Sequence, residues 1–522
     1  MHHRKTARSA RRAVAARETP RPPVPPLSRD PALVSSFLSD AAHVAGGFAE
    51  GVAFPEDEMD VATLVSSAGH VLAVGAQSSL TGGATPRGEV VMSTRALTRL
   101  DIESSDHVSV GAGVPLATLQ RTLRARGLYY PPVPTYDGAF VGGTVATNAA
   151  GATTFKYGST RQWIDGLTAV LSSGDVLDIS RGECVAGPSG EFEIALPSGG
   201  TLRPRVPSYR MPHVPKLSAG YHATPGMDLV DLFVGSEGTL AIIVAARLKV
   251  IRRPRRSVAL VRCRDDHQAV GLTAALRREA VDAWRGRGPL DVAAVEYMDA
   301  RALRVVPDEA FARSGLQRLA PDDVMVLVQI EVMDDGHAAL ERFDEVLDSC
   351  GIVEDPILAA PDDDRTAQRL FDLREAVPAS VNAAVAATKA RTHPDIEKTA
   401  GDFVVPVDRM EESIAVYRET FERRGLNYAI WGHVSDGNLH PNVIPESLDD
   451  VANGRGAILE IGRRVIEMGG APLAEHGVGR SALKQQLLRD LYGEAGIEQM
   501  RAVKHALDPE WKLAPGVLFP SR

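Results

Sequence analysis

The sequence predicts an α+β protein with more than one domain, and three observations support this class. The chain has 522 residues, 44% of them hydrophobic and 24% charged, which suits a globular protein of roughly two to four domains. In the N-terminal half, short apolar segments predict buried strands that lead into glycine-rich loops. After a basic run at residues 251–256, the pattern changes to longer strands that alternate with helices.

The composition argues against several functional classes. A net charge of −9 disfavours nucleic acid as the main partner. Cys184, Cys263 and Cys350 lie too far apart for an iron–sulfur run or a disulfide framework, which favours a reducing compartment. No apolar run is long enough to cross a bilayer. Residues 1–35 are basic and proline-rich without the apolar core of a secretory signal, so we expect a disordered leader, and an organellar presequence is the alternative.

The first folded segment predicts a helix, a strand and a ligand-binding loop in succession. Acidic residues at 55–60 precede an apolar-periodic helix that ends near Gly69, and residues 71–74 predict a buried strand. The loop that leaves this strand is rich in glycine and hydroxyl groups. Its backbone N–H groups suit a pyrophosphate, although a plain turn is an equally good interpretation.

A second group of small residues lies at 131–158, where the absence of bulky side chains lets the backbone approach a large planar ligand. It follows a predicted strand at 108–114 and a helix at 115–126. Gly111-Ala112-Gly113 is no dinucleotide fingerprint, because Leu116 occupies the third glycine position. Further along, residues 163–171 and 176–179 predict a hairpin, and residues 241–245 a strand.

The second half predicts a cap domain with a mainly antiparallel sheet covered on one side by helices. Its strands lie at 258–263, 292–297 and 324–332, with helices from His267 and over 336–347. A helix over 365–391 contains Pro378, which we expect to bend or break it.

Between the two halves, residues 180–226 form a long irregular segment that includes Lys216. Such a segment inside a compact domain is usually functional. We expect a loop at the mouth of an active site or a partner surface.

Residues 431–445 carry the most specific local pattern. Asp436-Gly437 is a two-residue turn signal that would place His433 opposite His440 on a hairpin. Opposed residues share one face, with Cβ atoms roughly 4.5–5.5 Å apart. Two imidazoles held in this way could bind one divalent metal, although a structural histidine hairpin is the alternative.

The order of these segments resembles the vanillyl-alcohol oxidase/p-cresol methylhydroxylase flavoprotein superfamily. More narrowly, it resembles the FAD-linked 2-hydroxyacid dehydrogenases: D-lactate dehydrogenase, the glycolate oxidase flavin subunit and D-2-hydroxyglutarate dehydrogenase. The resemblance extends from about residue 54 to the C-terminus. It implies a two-subdomain FAD-binding domain of the p-cresol methylhydroxylase type over 36–254 and an α/β cap domain over 255–470. Residues 471–522 would return to the FAD domain.

The resemblance also implies where FAD binds. Its diphosphate would lie on the loop at 75–82, and segments 132–151 and 235–243 would line the nucleotide and the ring. Some relatives attach FAD through a His or Cys, but the loop contains neither, so we expect non-covalent FAD. The implied cofactor-binding residues are Gly75, Gln77, Ser78, Ser79, Leu80, Thr81, Gly82, Pro132, Gly138, Gly142, Thr144, Asn148, Gly151, Gly238 and Ile243.

Glu475, in Ala474-Glu475-His476, matches the metal-bearing glutamate motif of the family. With His433 and His440 it would complete a two-imidazole, one-carboxylate set suited to zinc, manganese or iron. His476 is the candidate general base by residue type, because an imidazole titrates near neutral pH. Its alternative role is to support the glutamate.

Two further residues are implied in substrate binding. Arg374 matches the arginine that binds the substrate carboxylate, which a guanidinium can hold bidentately, although it could also be a simple helix-surface arginine. Asn442 would donate to the substrate or support His440. Relatives usually carry lysine where this chain has Ala400, and the role of the nearby Lys398 stays open. Likewise Ala514 stands where relatives usually place asparagine, which could remove one flavin hydrogen bond.

The implied activity is oxidation of a D-lactate or glycolate type of 2-hydroxyacid, by proton abstraction and hydride transfer to flavin N5. Electrons would pass to a quinone, a cytochrome or an electron-transfer flavoprotein, with an iron–sulfur subunit, if any, on a separate chain. The resemblance is compatible with a homodimer in the cytoplasm or at the inner face of the membrane. The alternatives are a flavin-dependent transferase like alkylglycerone-phosphate synthase, whose run of adjacent histidines is missing from this sequence, and a binding protein without turnover.

Overall fold

The N-terminal half contains a small parallel sheet beside a larger antiparallel one. The computed structural model describes residues 23–132, 134–315, 320, 322–332 and 336–520. The helices of this half are α1 Pro31–Ser35, α2 Glu58–Ser67, α3 Leu116–Arg124, α4 Val141–Ala146, α5 Thr154–Tyr157 and α6 Leu229–Phe233. Its strands are β1 Gly51–Ala53, β2 Val71–Val74, β3 Val90–Ser93, β4 Leu100–Ile102, β5 His107–Gly111, β6 Leu128–Tyr129, β7 Ile164–Val170, β8 Val176–Ser180, β9 Ile194–Ala195, β10 Thr201–Leu202, β11 Ile242–Lys249 and β12 Ile251–Arg252.

The pairing of these strands defines the two sheets. The parallel sheet has the order β1-β3-β2, and the antiparallel sheet has the order β4-β5-β11-β7-β8, while β6 pairs with β12 and β9 with β10. The predicted hairpin is thus β7–β8, and the loop at 75–82 leaves β2 as expected. Asp57 caps α2 by accepting hydrogen bonds from the N–H groups of Met59 and Asp60, both at 2.9 Å.

The predicted disordered leader is too long at its C-terminal end. Ser28 pairs with Val52, residues 31–35 are helical, and Phe37 is fully buried. The proline-rich stretch is therefore followed directly by packed structure. Residues 1–22, which carry most of the predicted leader, lie outside the described residues.

The second half is built on an eight-stranded antiparallel sheet of order β16-β13-β15-β14-β19-β20-β17, with β18 paired to β20. Its strands are β13 Arg255–Cys263, β14 Asp291–Met298, β15 Val324–Val332, β16 Ile357–Ala359, β17 Thr399–Ala400, β18 Phe403–Val404, β19 Tyr428–His433 and β20 Asn438–Val443. Its helices are α7 Asp266–Trp284, α8 Ala300–Arg304, α9 Asp308–Arg313, α10 His337–Ser349, α11 Asp364–Arg391, α12 Met410–Arg423, α13 Leu448–Glu467 and α14 Ala482–Leu507.

Helices pack on both faces of this sheet, not on one face as predicted. Ala259 and Val261 of β13 belong to the core cluster that includes α7 and α10, whereas Val258 and Leu260 belong to the cluster that includes α11. Alternate residues of a strand point to opposite faces, so a strand buried on both faces reads as one continuous apolar run. The apolar runs at 258–261 and 324–328 were therefore an available signal for two covered faces.

Pro378 lies inside α11 without breaking it. The helix buries Leu373, Val377 and Val381, which pack in one cluster with Trp431 of the sheet. This packing outweighs the loss of one backbone hydrogen bond at the proline.

The C-terminal segment returns to the first sheet. Val71 of β2 donates to the carbonyl of Lys512 at 2.9 Å, and Ala514 donates back to Val71 at 2.8 Å. In the described part of the chain, no helix combines the length and apolar character of a membrane span.

Candidate active site

His433 and His440 lie on neighbouring strands, but they are not directly opposed. The register pairs His433 with Asn438 and Trp431 with His440, because the turn has four residues and ends with Gly437 in the left-handed region at φ 85°. The predicted two-residue turn was therefore wrong. A register shift of two residues preserves the face on which side chains lie. The imidazoles are consequently diagonal neighbours, with ring centroids 5.5 Å apart.

The carboxylate of Glu475 lies between the two imidazoles. Its Oε1 is 3.2 Å from His440 Nε2 and 3.5 Å from His433 Nε2. One ligand atom from each of these three residues lies within 4.8 Å of the others. The structure thus brings together all three predicted metal ligands, and two imidazole nitrogens with one carboxylate oxygen fit a divalent zinc, manganese or iron ion.

The charge states of the two histidines differ. Burial lowers the pKa of His440 to about 4, so its imidazole is neutral and able to act as a ligand. Burial would also lower the pKa of His433, but the carboxylate of Glu296 at its Nδ1 more than offsets burial and raises the pKa to about 9. A carboxylate behind the remote nitrogen of an imidazole is the usual support of a metal-ligating histidine.

Glu296 also holds Arg374. The Nε of Arg374 donates to Glu296 Oε2 at 2.7 Å, so Arg374, Glu296 and His433 form one buried chain of alternating charges. Arg374 is only 6% exposed, which excludes the interpretation as a helix-surface arginine. Sequence reasoning missed Glu296, although one acidic residue between Val295 and Tyr297 in an otherwise apolar strand was an available signal.

Asp402 positions the segment that carries Glu475 and His476. Its Oδ2 accepts hydrogen bonds from the backbone N–H groups of Glu475 at 3.0 Å and His476 at 2.8 Å, and lies 3.2 Å from His476 Nδ1. The side chain of His476 is 29% exposed and keeps its Nε2 away from Asp402, 3.6 Å from Glu475 Oε1. This arrangement suits a base, because a carboxylate orients one nitrogen and the side chain is partly exposed.

The remaining predicted substrate residues differ in their contacts. Asn442 donates through Nδ2 to the backbone carbonyl of His440 at 2.7 Å, which matches the supporting role. Lys398 donates to Asn382 of α11 at 2.9 Å. Among the described residues, no hydrogen bond reaches Nδ1 of His440, which lies 3.7 Å from Asp402 Oδ1.

Lys216 is a further site residue that sequence reasoning named only as part of the irregular segment. Its Nζ donates to Glu475 Oε2 at 3.1 Å and lies 3.0 Å from Asp436 Oδ2. Glu475 therefore keeps a pKa well below its ordinary value despite its burial, because Lys216 and His433 both stabilise the carboxylate. Of the two alternatives for residues 180–226, the contact of Lys216 supports a loop that reaches the active site.

The predicted cofactor residues lie on four loops and on two of the elements beside them. Gly75, Gln77, Ser78, Ser79, Leu80, Thr81 and Gly82 follow β2; Pro132 and Gly138 precede α4, which carries Gly142 and Thr144; Asn148 and Gly151 follow α4, Gly238 precedes β11, and β11 carries Ile243.

Many polar groups of these loops are engaged within the protein. Ser79 Oγ accepts from the N–H of Thr81 at 3.2 Å, and Thr144 Oγ1 donates to Val141 at 2.9 Å. The side chain of Gln77 is engaged within the protein, because its Nε2 donates to the backbone carbonyls of Ser36 and Ser39. Recognition of a cofactor here therefore depends mainly on backbone groups and shape.

Close backbone approach and open space both occur at the glycines of this region. A Cβ on Gly142 would lie 2.5 Å from the Cβ of Ala112. In contrast, a Cβ on Gly143 or Gly238 would meet no described atom within 4 Å. The small residues thus pack the loops tightly on one side and leave room on the other, which fits a bulky planar cofactor.

Glu237 lies on the loop before β11 and contacts the loop that follows Glu475 and His476. It adopts a left-handed backbone conformation at φ 53°, and its carboxylate accepts hydrogen bonds from the N–H groups of Val478 and Gly479, both at 2.8 Å. Burial raises the pKa of Glu237 to about 7, although these two hydrogen bonds act in the opposite direction. Sequence reasoning missed this residue as well.

Two family models match the chain. The model described as "FAD linked oxidases, C-terminal domain" matches residues 254–518, and the model described as "FAD binding domain" matches residues 49–180. Together they cover the loops at 75–82 and 132–151 and the cluster of His433, His440 and Glu475, whereas Gly238 and Ile243 lie between the two matches.

Characterised relatives match over most of their length. The glycolate oxidase subunit GlcD of Bacillus subtilis is 28% identical over 85% of this chain and 83% of its own length. D-2-hydroxyglutarate dehydrogenase of Stutzerimonas stutzeri is 26% identical over 90% of both chains. D-lactate dehydrogenase of Archaeoglobus fulgidus is 27% identical over 85% of this chain and 84% of its own length.

Solved structures share the fold at lower identity. A 4-ethylphenol oxidase from Gulosibacter chungangensis superposes with a TM-score of 0.64 at 17% identity and covers 94% of both chains. An alkyldihydroxyacetonephosphate synthase superposes with a TM-score of 0.60 at 14% identity over 94% of this chain and 82% of its own.

Proposed function

Because the chain belongs to the family of FAD-linked oxidases, we propose that it oxidises a small 2-hydroxyacid of the D-lactate or glycolate type to the 2-oxoacid. The observation that carries this proposal is the buried cluster of His433, His440 and Glu475 with His476 beside it. The names of the relatives support the substrate class, since they include enzymes of glycolate, D-lactate and D-2-hydroxyglutarate.

Two bound groups complete the proposed site. The glycine-rich loops would hold FAD non-covalently, and its flavin N5 accepts a hydride. His433, His440 and Glu475 would hold a divalent metal, whose Lewis acidity lowers the pKa of a substrate hydroxyl.

The residues of the chain supply the remaining functions. His476 would take the hydroxyl proton at Nε2, because its Nδ1 faces Asp402. Arg374 would bind the substrate carboxylate through Nη2, because Nε and Nη1 already contact Glu296 and Glu375. Asn442 would keep the backbone of His440 in place.

The decisive experiment is anaerobic addition of single 2-hydroxyacids to the FAD-loaded protein. Both lactate enantiomers, glycolate and D-2-hydroxyglutarate should be tested separately. We expect the flavin absorbance to bleach with one of them and the matching 2-oxoacid to form in equal amount. His476→Gln should bleach far more slowly, whereas exposed His267→Gln should behave as the unmodified protein. Absence of bleaching with every 2-hydroxyacid would contradict the proposal.

We further propose that a quinone, a cytochrome or an electron-transfer flavoprotein accepts the electrons. The three cysteines are free and widely spaced, so an iron–sulfur partner would be a separate subunit. A homodimer, in the cytoplasm or at the inner face of the membrane, is the proposed setting. Reoxidation rates of the reduced flavin with each acceptor class would discriminate among them.

A flavin-dependent transferase like alkylglycerone-phosphate synthase is the second candidate. The fold match to alkyldihydroxyacetonephosphate synthase favours it, but a likeness at 14% identity concerns the fold alone. Formation of an ether product without any bleaching by 2-hydroxyacids would favour this candidate.

A further inference from the structure

We propose that Lys216 is a positioning residue that reserves one oxygen of Glu475, so that the glutamate presents a single oxygen to the two imidazoles. The inference rests on the metal site of the proposed function and concerns how this chain shapes that site. It assigns a role to a buried lysine that the proposed reaction does not use.

The two oxygens of Glu475 have different partners. Oε2 accepts a hydrogen bond from Lys216 Nζ at 3.1 Å. Oε1 faces His440 Nε2 at 3.2 Å and His433 Nε2 at 3.5 Å. One oxygen is thus directed towards the imidazole nitrogens, and the ammonium group occupies the other.

The ammonium group is held from a second direction. The side chain of Lys216 is fully buried, and its Nζ lies 3.0 Å from Oδ2 of Asp436, which is also fully buried. A buried ion that loses its partner is strongly destabilising, so these charges keep one another in place. Asp436 belongs to the turn between β19 and β20, which Ser435 anchors by accepting a hydrogen bond from the N–H of Val295 at 3.0 Å.

The backbone that carries Lys216 is fixed as well. Ser218 donates through its N–H to Leu473 at 3.2 Å and through Oγ to Thr147 at 2.9 Å. Asn148 donates to the carbonyl of Leu217 at 3.2 Å. The segment is therefore attached both to the loop before Glu475 and to a cofactor loop, and the lysine is not free to withdraw.

The consequence concerns the number of coordination positions. A carboxylate that binds through one oxygen uses one position on a metal, whereas a bidentate carboxylate uses two. A 2-hydroxyacid that binds through its hydroxyl and its carboxylate needs two open positions. By occupying Oε2, Lys216 preserves those positions for the substrate.

The test is X-ray absorption spectroscopy of the FAD-loaded protein with one equivalent of Zn²⁺. We expect Glu475 to bind through one oxygen in the unmodified protein. A bidentate carboxylate, recognised by a short metal–carbon distance, would overturn the inference while leaving the proposed metal site intact. A protein that binds no zinc would remove that site and this inference with it.

Two variants sharpen the test. Lys216→Met should still bind zinc but gain one oxygen ligand, and its KM for the 2-hydroxyacid should rise more than its kcat falls. Lys216→Arg retains a cation with several donors and should keep the spectrum of the unmodified protein. If Lys216→Met binds zinc with an unchanged spectrum, the inference is wrong. If Lys216→Met does not fold, the number of Glu475 oxygens bound to Zn²⁺ in the unmodified protein decides the question.

Discussion

The cofactor loops and the charged cluster of Glu296, His433 and Arg374 are built from different chemistry. Around α4, a Cβ on Gly142 would lie only 2.5 Å from the Cβ of Ala112, and the hydroxyl of Thr144 donates within the protein. In the cap, Glu296, His433 and Arg374 are buried charges that contact one another. The first region depends on the absence of side chains and the second on their pairing.

This difference decides how each region should respond to substitution. Backbone recognition is spread over many N–H groups, so one added methyl group acts mainly through packing, at about 1–3 kcal/mol. A buried ion pair concentrates its contribution in two atoms, and removal of one partner costs about 3–5 kcal/mol. The charged cluster should therefore be the more sensitive of the two.

The largest effect is expected for Glu475→Ala. The variant loses the carboxylate ligand and leaves Lys216 without one of its partners. We expect loss of bound divalent metal and a fall in kcat/KM of about 10³-fold or more, since metal assistance contributes several kcal/mol. Metal analysis and steady-state kinetics measure both. Exposed Glu467→Ala on α13 is the matched control, and full metal content in Glu475→Ala would disprove the ligand assignment.

His476→Gln separates the base from the metal ligands. Its Nδ1 faces Asp402, and we expect kcat to fall about 10²- to 10³-fold, as for loss of a general base. Metal and FAD contents should stay unchanged if the metal lies at His433, His440 and Glu475, and not at the second possible group of Asp402, His440 and His476. Single-turnover flavin reduction gives the rate. A variant that loses metal together with activity would instead assign His476 a supporting role.

The cluster also shows what a sequence can reveal. His433, His440 and Glu475 stood out through a turn signal and a family motif, and the structure confirms their proximity. The turn signal at 436–437 was less reliable, because Asp-Gly also suits the end of a four-residue turn. Local patterns thus located the ligands but misplaced their register.

The partners of the ligands were less accessible to sequence reasoning. Glu296 lies 137 residues before His433, Asp402 lies 73 residues before Glu475, and Lys216 lies 259 residues before Glu475. No sequence periodicity links residues so far apart. They come into contact only when the eight-stranded sheet and residues 180–226 pack in the folded protein. The fold class was predictable because strands and glycine loops leave short-range patterns, whereas charge pairing depends on tertiary structure.

Gly142→Ala tests the backbone side of the comparison. The added methyl group would press on Ala112, so we expect the free energy of unfolding to fall by about 1–3 kcal/mol and FAD to dissociate more readily. Denaturant titration and flavin fluorescence measure these effects. Gly143→Ala in the same helix adds a methyl group where no described atom lies within 4 Å, so its stability should not fall. Equal destabilisation by both would show that packing at Gly142 is not the cause.

Glu237 is the exception in the cofactor loops, because it is a titratable side chain whose contribution to stability changes with pH. Its folded-state pKa is about 7, above its ordinary value of 4.5, so folding favours the protonated form. Stability from this group is therefore complete below pH 4.5 and lost as pH rises through 7. Partial solvent exposure reduces the expected loss to about 1–2 kcal/mol.

Glu237→Gln removes this titration. Val478 donates to Oε1 and Gly479 to Oε2, whereas an amide has one acceptor oxygen, so the variant loses one of these hydrogen bonds at every pH. We expect the difference in unfolding free energy, unmodified protein minus variant, to fall between pH 4.5 and 7.5. Denaturant titrations at several pH values measure it, and the difference itself cancels groups common to both proteins. A difference that stays constant over this range would show that folding does not raise the pKa of Glu237, and the hydrogen bonds from Val478 and Gly479 would then offset its burial.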